Sequence, residues 1–204
     1  MGFLSVLSCA HQWIASRLQP GDLAIDATVG TGADTLFLAQ QVGRRGQVIG
    51  FDIQSEALTL AQARIRKQND EAKLGSISML QLSHDRMAEA VPESWLGAVG
   101  AVMFNLGYLP SESADSSIIT ETDSTIAALE AALALLRPRG IITVVLYPGH
   151  DGGEQEAAAV LEWSSALPVE QAQVVMYRQL QRETSPFLIG IEKNNFLCSP
   201  NTIN

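Results

Sequence analysis

The segment Asn105-Leu106-Gly107-Tyr108 carries residue types that can position a nitrogen nucleophile. The side-chain carbonyl of Asn105, together with a backbone carbonyl nearby, can accept the hydrogens of an amine and so aim its lone pair. The ring of Tyr108 can pack against a planar group that carries the amine. The alternative is a glycine-containing turn in which Asn105 hydrogen-bonds locally and Tyr108 fills the core.

A second cluster, Tyr147-Pro148-Gly149-His150, follows another apolar run. We predict that Tyr147 and His150 contact the substrate, and that His150 accepts the amine proton or binds a phosphate. The alternative is a loop shaped by its glycines in which the histidine does neither.

Paired glycines at Gly30-Thr31-Gly32 stand between the apolar run 23–27 and a helical pattern that starts at Asp34. Because a glycine lacks a Cβ, backbone N–H groups at such a turn can approach a ligand closely. Asp26, before the glycines, can hold an amino group of the ligand or order the loop. The pattern is typical of a turn that binds a nucleotide, although a purely structural turn would look the same.

Asp52 ends the next apolar run, 47–51, about 20 residues beyond the glycines, where an acid can reach both ribose hydroxyls. A dinucleotide-binding motif also requires a third glycine, but Thr35 occupies that position. Thr35 therefore disfavours NAD. It favours S-adenosyl-L-methionine, which has no pyrophosphate to place against the helix terminus.

Ser83 and His84, followed by Asp85, come after the third apolar run, where contacts to an adenine edge are expected. An ordinary surface histidine is the alternative for His84. The cysteines show no metal-ligand spacing, and no metal site is predicted. The residues predicted to bind the cofactor are Asp26, Gly30, Thr31, Gly32, Asp34, Thr35, Asp52, Ile53, Gln54, Ser83, His84 and Asn105.

Strand-like and helix-like segments alternate along almost the whole chain. Strands are predicted at 23–27, 47–51, 76–82, 98–104, 141–147, 173–177 and 187–192, with helices near the N-terminus and over 34–39, 55–69, 123–136 and 154–165. The continuous apolarity of 98–104 predicts burial on both faces, and Ser55 is predicted to cap its helix. The short connection 178–186 predicts an antiparallel hairpin.

This order predicts an α/β fold, specifically a Rossmann-like class I methyltransferase with a seven-stranded, mostly parallel sheet and a C-terminal antiparallel hairpin. The 204 residues suit a single domain, with a tail from Leu197 predicted to be disordered. No apolar run approaches the ~20 residues that cross a bilayer. Cys9 and Cys198 show no redox or metal spacing, which fits a reducing cytoplasm; the alternative is a disulfide between them. The net charge of −9 argues against a protein that coats nucleic acid, but not against an enzyme with basic residues on one face.

The Asn105-x-x-Tyr108 spacing resembles the Asn-Pro-Pro-Tyr motif of methyltransferases that act on exocyclic or side-chain nitrogen. From about His11 to Lys193 the chain also resembles the MnmM (YtqB) family, whose members were long labelled rRNA methylases. This resemblance rests on the segments 26–35, 50–54, 83–84, 104–110, 147–150 and 191–193. The Asn-Leu-Gly-Tyr-Leu-Pro and Tyr-Pro-Gly-His segments are its most specific parts.

The resemblance implies that S-adenosyl-L-methionine methylates the aminomethyl nitrogen of 5-aminomethyl-2-thiouridine at the tRNA wobble position, giving 5-methylaminomethyl-2-thiouridine. The implied partner is the tRNA anticodon stem-loop, and the implied assembly is a homodimer away from membranes. The predicted catalytic residues are Asn105, Tyr108 and His150, and the predicted substrate and RNA contacts are Tyr108, Tyr147, His150, Arg178 and Arg182. The family's loop usually reads Gly-Asn-Gly followed by His or another polar residue, and this chain has Thr31 and Ala33 at the second and last of these positions. The end of the family's last hairpin usually carries an Asn and paired prolines, from which the segment 182–186 departs.

Other functions stay open on the residues alone. A methyltransferase for rRNA, or for a small-molecule or protein amine, would use the same Asn-x-x-Tyr geometry. An NAD(P)-dependent oxidoreductase is disfavoured by Thr35 and by the lack of a clear Tyr-x-x-x-Lys pair. The altered loop also permits a catalytically silent binding module.

Overall fold

The computed structural model describes residues 2–68, 70–107, 122–149 and 152–195. Three predictions from the sequence fall outside these ranges: the aromatic half of the amine motif at Tyr108, the loop residue His150 and the tail from Leu197. The described ranges contain the sheet, its covering helices and the loop that joins the first strand to the second helix.

The centre of the fold is a seven-stranded sheet with the order β3-β2-β1-β4-β5-β7-β6. Strands β1 to β5 are parallel, whereas β7 runs antiparallel to both β5 and β6. This confirms the predicted mostly parallel sheet and its C-terminal hairpin. The strands are β1 Leu23–Asp26, β2 Gln47–Asp52, β3 Ser76–Gln81, β4 Val99–Leu106, β5 Leu136–Leu146, β6 Ala172–Tyr177 and β7 Phe187–Lys193.

Helices cover both faces of the sheet and bury a separate apolar cluster on each. One cluster contains residues of α1 and α2, and the other contains residues of α4, α5 and α6. The helices are α1 Val6–Ala15, α2 Ala33–Val42, α3 Ser55–Arg66, α4 Met87–Ala90, α5 Thr122–Leu135 and α6 Gly153–Ala166. Over the described part of the chain, none of them is long and apolar enough to cross a membrane.

Strand β4 is buried on both faces, as its apolar sequence predicts. Every residue from Val99 to Leu106 is buried except Asn105, which is partly exposed. The strand lies between β1 and β5, so its neighbours and the helices above and below exclude water from it. Asn105 is thus a polar side chain near the carboxyl end of an otherwise buried central strand.

The start of α3 differs from the prediction that Ser55 caps it. The cap position is Gln54, which has an extended backbone, and Ser55 is already the first helical residue. The N–H of Gln54 donates to the Asp52 carboxylate over 2.9 Å, which turns the chain into the helix one residue early. The helix also ends at Arg66, short of the predicted end near residue 69.

The end of α5 and the start of β5 also differ from the prediction of a helix that ends at 136 and a strand that begins at 141. Pairing with β4 already begins at Leu136 and is interrupted by an irregularity before Ile141, with Arg139 in the left-handed region at φ 61°. Lys193 stabilises the helix end, because its Nζ donates to the carbonyls of Leu133 and Leu136 over 2.8 and 2.7 Å. The segment 137–140 is therefore an irregularity within the strand and does not separate the helix from the strand.

Candidate active site

The glycine loop joins β1 to α2 and requires glycine at two positions. Gly30 and Gly32 have φ values of 50° and 77°, which L side chains rarely adopt. A Cβ on Gly32 would also lie 2.6 Å from the Cα of Ala61 in α3. The loop is therefore a tightly packed turn at the carboxyl edge of the sheet, where parallel α/β proteins bind nucleotides.

Asp26, at the end of β1, orders this loop through hydrogen bonds. Its side chain is fully buried, and its two oxygens accept hydrogen bonds from the N–H of Thr28 (3.1 Å) and the hydroxyl of Thr35 (2.5 Å). Burial, followed by the charge of Asp34, raises the pKa of Asp26 to about 7. The structure thus shows the loop-ordering role and gives Thr35, in place of a third glycine, a structural function. A contact from Asp26 to a ligand amino group stays a prediction.

Asp52 connects the end of β2 to the glycine loop. One carboxylate oxygen accepts the N–H of Gly30 over 2.9 Å, and the other accepts the N–H of Gln54 over 2.9 Å. Each carboxylate oxygen has two lone pairs, so both can still accept a hydroxyl hydrogen. Ile53, which is 49% exposed, offers an apolar surface beside this carboxylate. The group fits the diol of a ribose and one face of a base.

Two polar side chains with buried acceptor atoms, His84 and Asp85, lie just beyond β3. His84 is buried, and its Nδ1 donates to the carbonyl of Ala27 over 3.2 Å. Burial lowers the pKa of His84, so the ring is neutral and its Nε2 is an acceptor. Within the described ranges, this Nε2 and Oδ1 of Asp85 are buried without a hydrogen-bond partner. An exocyclic amino group such as that of adenine would satisfy such acceptors, so these residues fit an adenosine-containing cofactor.

Arg64 compensates for the departure at Thr31. Its guanidinium, from α3, donates to the backbone carbonyl of Thr31 over 2.7 Å and to its hydroxyl over 3.3 Å. No local spacing relates the two residues, so the sequence alone does not indicate this contact. The threonine hydroxyl thus has a specific partner on the neighbouring helix.

The carboxyl end of β4 lies directly beside the glycine loop. The N–H of Asn105 donates to the hydroxyl of Thr28 over 2.8 Å. At Gly107, an added Cβ would lie 3.2 Å from the ring of Tyr147, so this ring packs against the backbone after β4. Burial and, second, the charge of Asp34 raise the pKa of Tyr147. Asn105, Tyr147 and the start of α2 therefore meet at one edge.

One pair of residues at this edge has no counterpart in the sequence-based prediction. His11 in α1 lies with its Nε2 2.6 Å from Oδ1 of Asp34, and its ring stacks on Phe37 at a centroid distance of 3.9 Å. The sequence alone assigns no role to His11. The two partners are 23 residues apart, so no motif spacing could have identified them.

The terminal hairpin reaches the same edge of the sheet. A Cβ on Gly149, after β5, would lie 3.2 Å from the carbonyl of Thr184 in the turn between β6 and β7. Arg178 folds over this turn, where it donates to the carbonyl of Glu183 over 2.7 Å and lies 5.1 Å from the ring centre of Phe187. Arg182 is exposed on the turn.

Comparison with known proteins finds methyltransferases. A family model described as "Putative rRNA methylase" matches residues 48–192. A model of protein-L-isoaspartate O-methyltransferases matches residues 4–84. The chain is 37% identical over 189 residues to the chloroplastic "tRNA (mnm(5)s(2)U34)-methyltransferase" of Arabidopsis thaliana, which covers 90% of this chain and 68% of that protein.

Two solved structures agree with this result. A crystal structure described as a "putative rRNA-methylase" from Clostridium thermocellum is 36% identical, with a TM-score of 0.86 over 95% of this chain and all of the other. A "putative methyltransferase" from Streptococcus mutans, in complex with SAH, is 30% identical, with a TM-score of 0.81 over 94% of this chain and 99% of the other. These relatives have the class I fold that the seven-stranded sheet shows. The chain therefore belongs to the rRNA methylase-like family of S-adenosyl-L-methionine-dependent methyltransferases that its Asn-Leu-Gly-Tyr-Leu-Pro and Tyr-Pro-Gly-His segments indicate, the MnmM (YtqB) family.

Proposed function

We propose that this methyltransferase converts 5-aminomethyl-2-thiouridine to 5-methylaminomethyl-2-thiouridine at the wobble position of tRNA. The observation that carries the proposal is the contact between the two halves of the site, in which the hydroxyl of Thr28 accepts the N–H of Asn105 over 2.8 Å. This contact supports the proposal because it brings Asn105, the proposed amine ligand, next to the glycine loop. The name of the Arabidopsis thaliana relative supports the same substrate.

The cofactor half holds the methyl donor by its adenosine and amino acid ends. Asp52 binds the ribose diol, Ile53 packs on the base, and Asp85 with His84 accepts the hydrogens of the adenine amino group. The glycine loop, kept in shape by Asp26 and Thr35, accommodates the remainder. When bound, S-adenosyl-L-methionine supplies a methyl group on a positively charged sulfur, so the chain itself need not provide a covalent nucleophile.

The acceptor half orients a nitrogen. Asn105 accepts an amine hydrogen with its side-chain carbonyl, so that the lone pair points along the line of transfer. Tyr147, packed against Gly107, supports this edge and limits the volume open to water. Tyr108 and His150, outside the described residues, complete the acceptor site in this proposal.

The RNA contacts come from the terminal hairpin. Arg182 is exposed on a turn that packs beside Gly149, so its guanidinium can reach a phosphate while the base enters the site. Arg178 supports the turn and adds a second positive charge. Two such contacts suit a short stem-loop and agree with a net charge of −9, because most of the surface need not meet RNA. Turning the wobble base out of its stack costs about a few kcal/mol.

We also propose a cytoplasmic location and a homodimer. Cys9 is a buried free thiol, which fits a reducing compartment that contains tRNA. The dimer is implied by the family alone, and light scattering during size-exclusion chromatography tests it.

The test is mass spectrometry of nucleosides after incubation of the purified protein with S-adenosyl-L-methionine. The substrates are tRNA that carries 5-aminomethyl-2-thiouridine, a matching anticodon stem-loop, the free nucleoside, and rRNA. We expect the methylaminomethyl product from the tRNA and the stem-loop, at a far lower rate from the nucleoside. The Asn105→Ala variant serves as the control for contaminating activity.

Each other result would change the assignment. Methylation of the rRNA but not of the tRNA would support an rRNA methyltransferase. Equal rates on the stem-loop and the free nucleoside would support a methyltransferase for a small-molecule amine. Either result would overturn the tRNA proposal. It would also be overturned if 5-aminomethyl-2-thiouridine stayed unmethylated in both the tRNA and the stem-loop.

A further inference from the structure

His11 and Asp34 form a side-chain pair between α1 and α2 that the glycine loop does not require. The distance from Nε2 to Oδ1 is 2.6 Å, and the His11 ring lies nearly parallel to Phe37, at 6° and 3.9 Å. The side chain of Asp34 is 9% exposed, whereas that of His11 is 32% exposed. The carboxylate is thus largely shielded, while the imidazole can be reached from outside.

The pairing defines which nitrogen of His11 carries the proton. A carboxylate only accepts hydrogen bonds, so Nε2 donates to Asp34. In the neutral ring, Nδ1 then has a free lone pair. Within the described residues, Nδ1 makes no hydrogen bond. This is the arrangement in which a carboxylate holds a histidine in the tautomer needed by a general base.

The pair lies at the acceptor edge of the sheet. Asp34 is in the first turn of α2, and its charge raises the pKa of Tyr147, whose ring packs against Gly107 after β4. Helix α1, which carries His11, packs on β5 and β7, the strands that flank this edge. Through Asp34, the imidazole contacts the start of α2, and the glycine loop that precedes α2 contacts Asn105.

An acceptor amine needs such a group. An alkyl amine is mostly protonated near neutral pH and has no lone pair for attack in that form. We propose that His11, held by Asp34, is the general base that takes the proton from the acceptor ammonium; this inference rests on the proposed function. The proton moves from the ammonium nitrogen to Nδ1, and the freed lone pair forms the N–C bond as the C–S bond of the methyl donor breaks and leaves its electron pair on sulfur.

Asp34 is a positioning residue in this scheme. It stabilises the imidazolium that forms, and it does not itself take the proton. Among the described residues, Asp26 at the end of β1 and Tyr147 after β5 feel the charge of Asp34, and Cys9 is a buried thiol on the same helix as His11. They add no positive charge to oppose protonation of His11. After methylation, the imidazolium returns its proton to water through its exposed side.

The first test is the pH dependence of methyl transfer in single turnovers at saturating cofactor and RNA. The His11→Gln variant keeps a hydrogen-bond donor for Asp34 but cannot titrate, and Gln12→Ala, on the exposed side of the same helix, is the matched control. We expect His11→Gln to lower the rate by about 10²-fold near neutral pH, because general bases contribute that much or more. The deficit should shrink as rising pH deprotonates the amine without help. Calorimetry should show that His11→Gln changes S-adenosylhomocysteine affinity by less than about threefold.

The second test does not need activity. The chain has three histidines, so NMR can assign the imidazole nitrogens of His11. We expect the neutral ring to carry its proton on Nε2, the nitrogen that faces Asp34. A proton on Nδ1, or a rate deficit of His11→Gln that is the same at every pH, would overturn the inference.

The two proposals fail in different ways. If the wild-type protein does not methylate the aminomethyl nucleoside in RNA, the proposed function is overturned, and so is the role of His11 as a general base for that amine. If the wild-type protein methylates this nucleoside and the His11→Gln variant has the same rate and pH profile, only the role of His11 as the general base is overturned.

Discussion

Gly30 donates its backbone N–H to the carboxylate of Asp52 over 2.9 Å, which ties the glycine loop to the end of β2. The residue expected to bind the ribose therefore also sets the shape of the loop beside it. A change at Asp52 should remove a ligand contact and loosen the loop together.

We expect Asp52→Ala to weaken S-adenosylhomocysteine binding by roughly 10- to 100-fold, the effect of losing charge-assisted hydrogen bonds. Calorimetry measures this directly. Asp70→Ala is the matched control, since Asp70 is an exposed carboxylate that pairs with Lys73. An unchanged affinity in Asp52→Ala would remove Asp52 from the cofactor site.

Asn105→Ala should separate chemistry from cofactor binding. We expect methyl transfer to fall by about 10²-fold, because the acceptor nitrogen is no longer aimed. Affinity for S-adenosylhomocysteine should stay within about threefold of the wild type. The control is Asn194→Ala, which removes an amide that contacts Val169 after α6. Equal losses of rate and cofactor affinity would mean that Asn105 serves the cofactor instead.

Asp26 should make stability depend on pH in an unusual direction. Its pKa is raised from 3.8 to about 7, so the folded state holds a proton that the unfolded state releases. The contribution of Asp26 to stability is therefore lost as the pH rises from about 4 to about 7. Relative to Asp26→Asn, the free energy of unfolding of the wild type should fall by a few kcal/mol across this window. Urea unfolding at several pH values measures the difference. Parallel pH profiles for the two proteins would contradict the raised pKa.

Gly32→Ala should cost more stability than its backbone angle explains. Gly97 is the matched control, since it has a similar φ of 69° but open space where a Cβ would stand. We expect Gly97→Ala to cost about 1–2 kcal/mol for the left-handed backbone. Gly32→Ala should cost clearly more, because its Cβ would lie 2.6 Å from Ala61. Thermal unfolding compares the two variants, and equal losses would show that α2 and α3 need no such close approach.

Arg182→Ala should affect RNA alone. We expect weaker binding of the stem-loop, and a log–log salt dependence that is shallower by about one, for the loss of one phosphate contact. S-adenosylhomocysteine affinity should not change. Arg44→Ala, an exposed cation before the amino end of β2, is the control. A salt dependence equal to that of the wild type would place the RNA elsewhere.

Much of the fold could be predicted because its signals are local. The apolar run of β4 and the short connection before β7 each specify a structure within about ten residues, and both predictions are confirmed. The predicted start of α3 was wrong because the hydrogen bond from the N–H of Gln54 to the Asp52 carboxylate competes with the capping preference of Ser55.

The site was less predictable because its contacts join distant segments. Asp52 and the glycines follow a known spacing, whereas His11 with Asp34, and Arg64 with Thr31, meet only after helices pack. Thr35 shows the same limit. The sequence indicated which cofactor it disfavours, but only burial against Asp26 reveals what its hydroxyl does.

Because β7 is antiparallel, the turn before it lies at the edge of the active site and can vary in sequence independently of the glycine loop. Because β7 runs against β5, the turn at 178–186 returns to the edge that carries the loops after β1 and β4; a parallel last strand would have sent it to the opposite end. Insertions in that turn would extend the wall on the acceptor side without moving a residue that shapes the glycine loop. Family members could thus diverge in the RNA they recognise while the methyl-donor site stays constant.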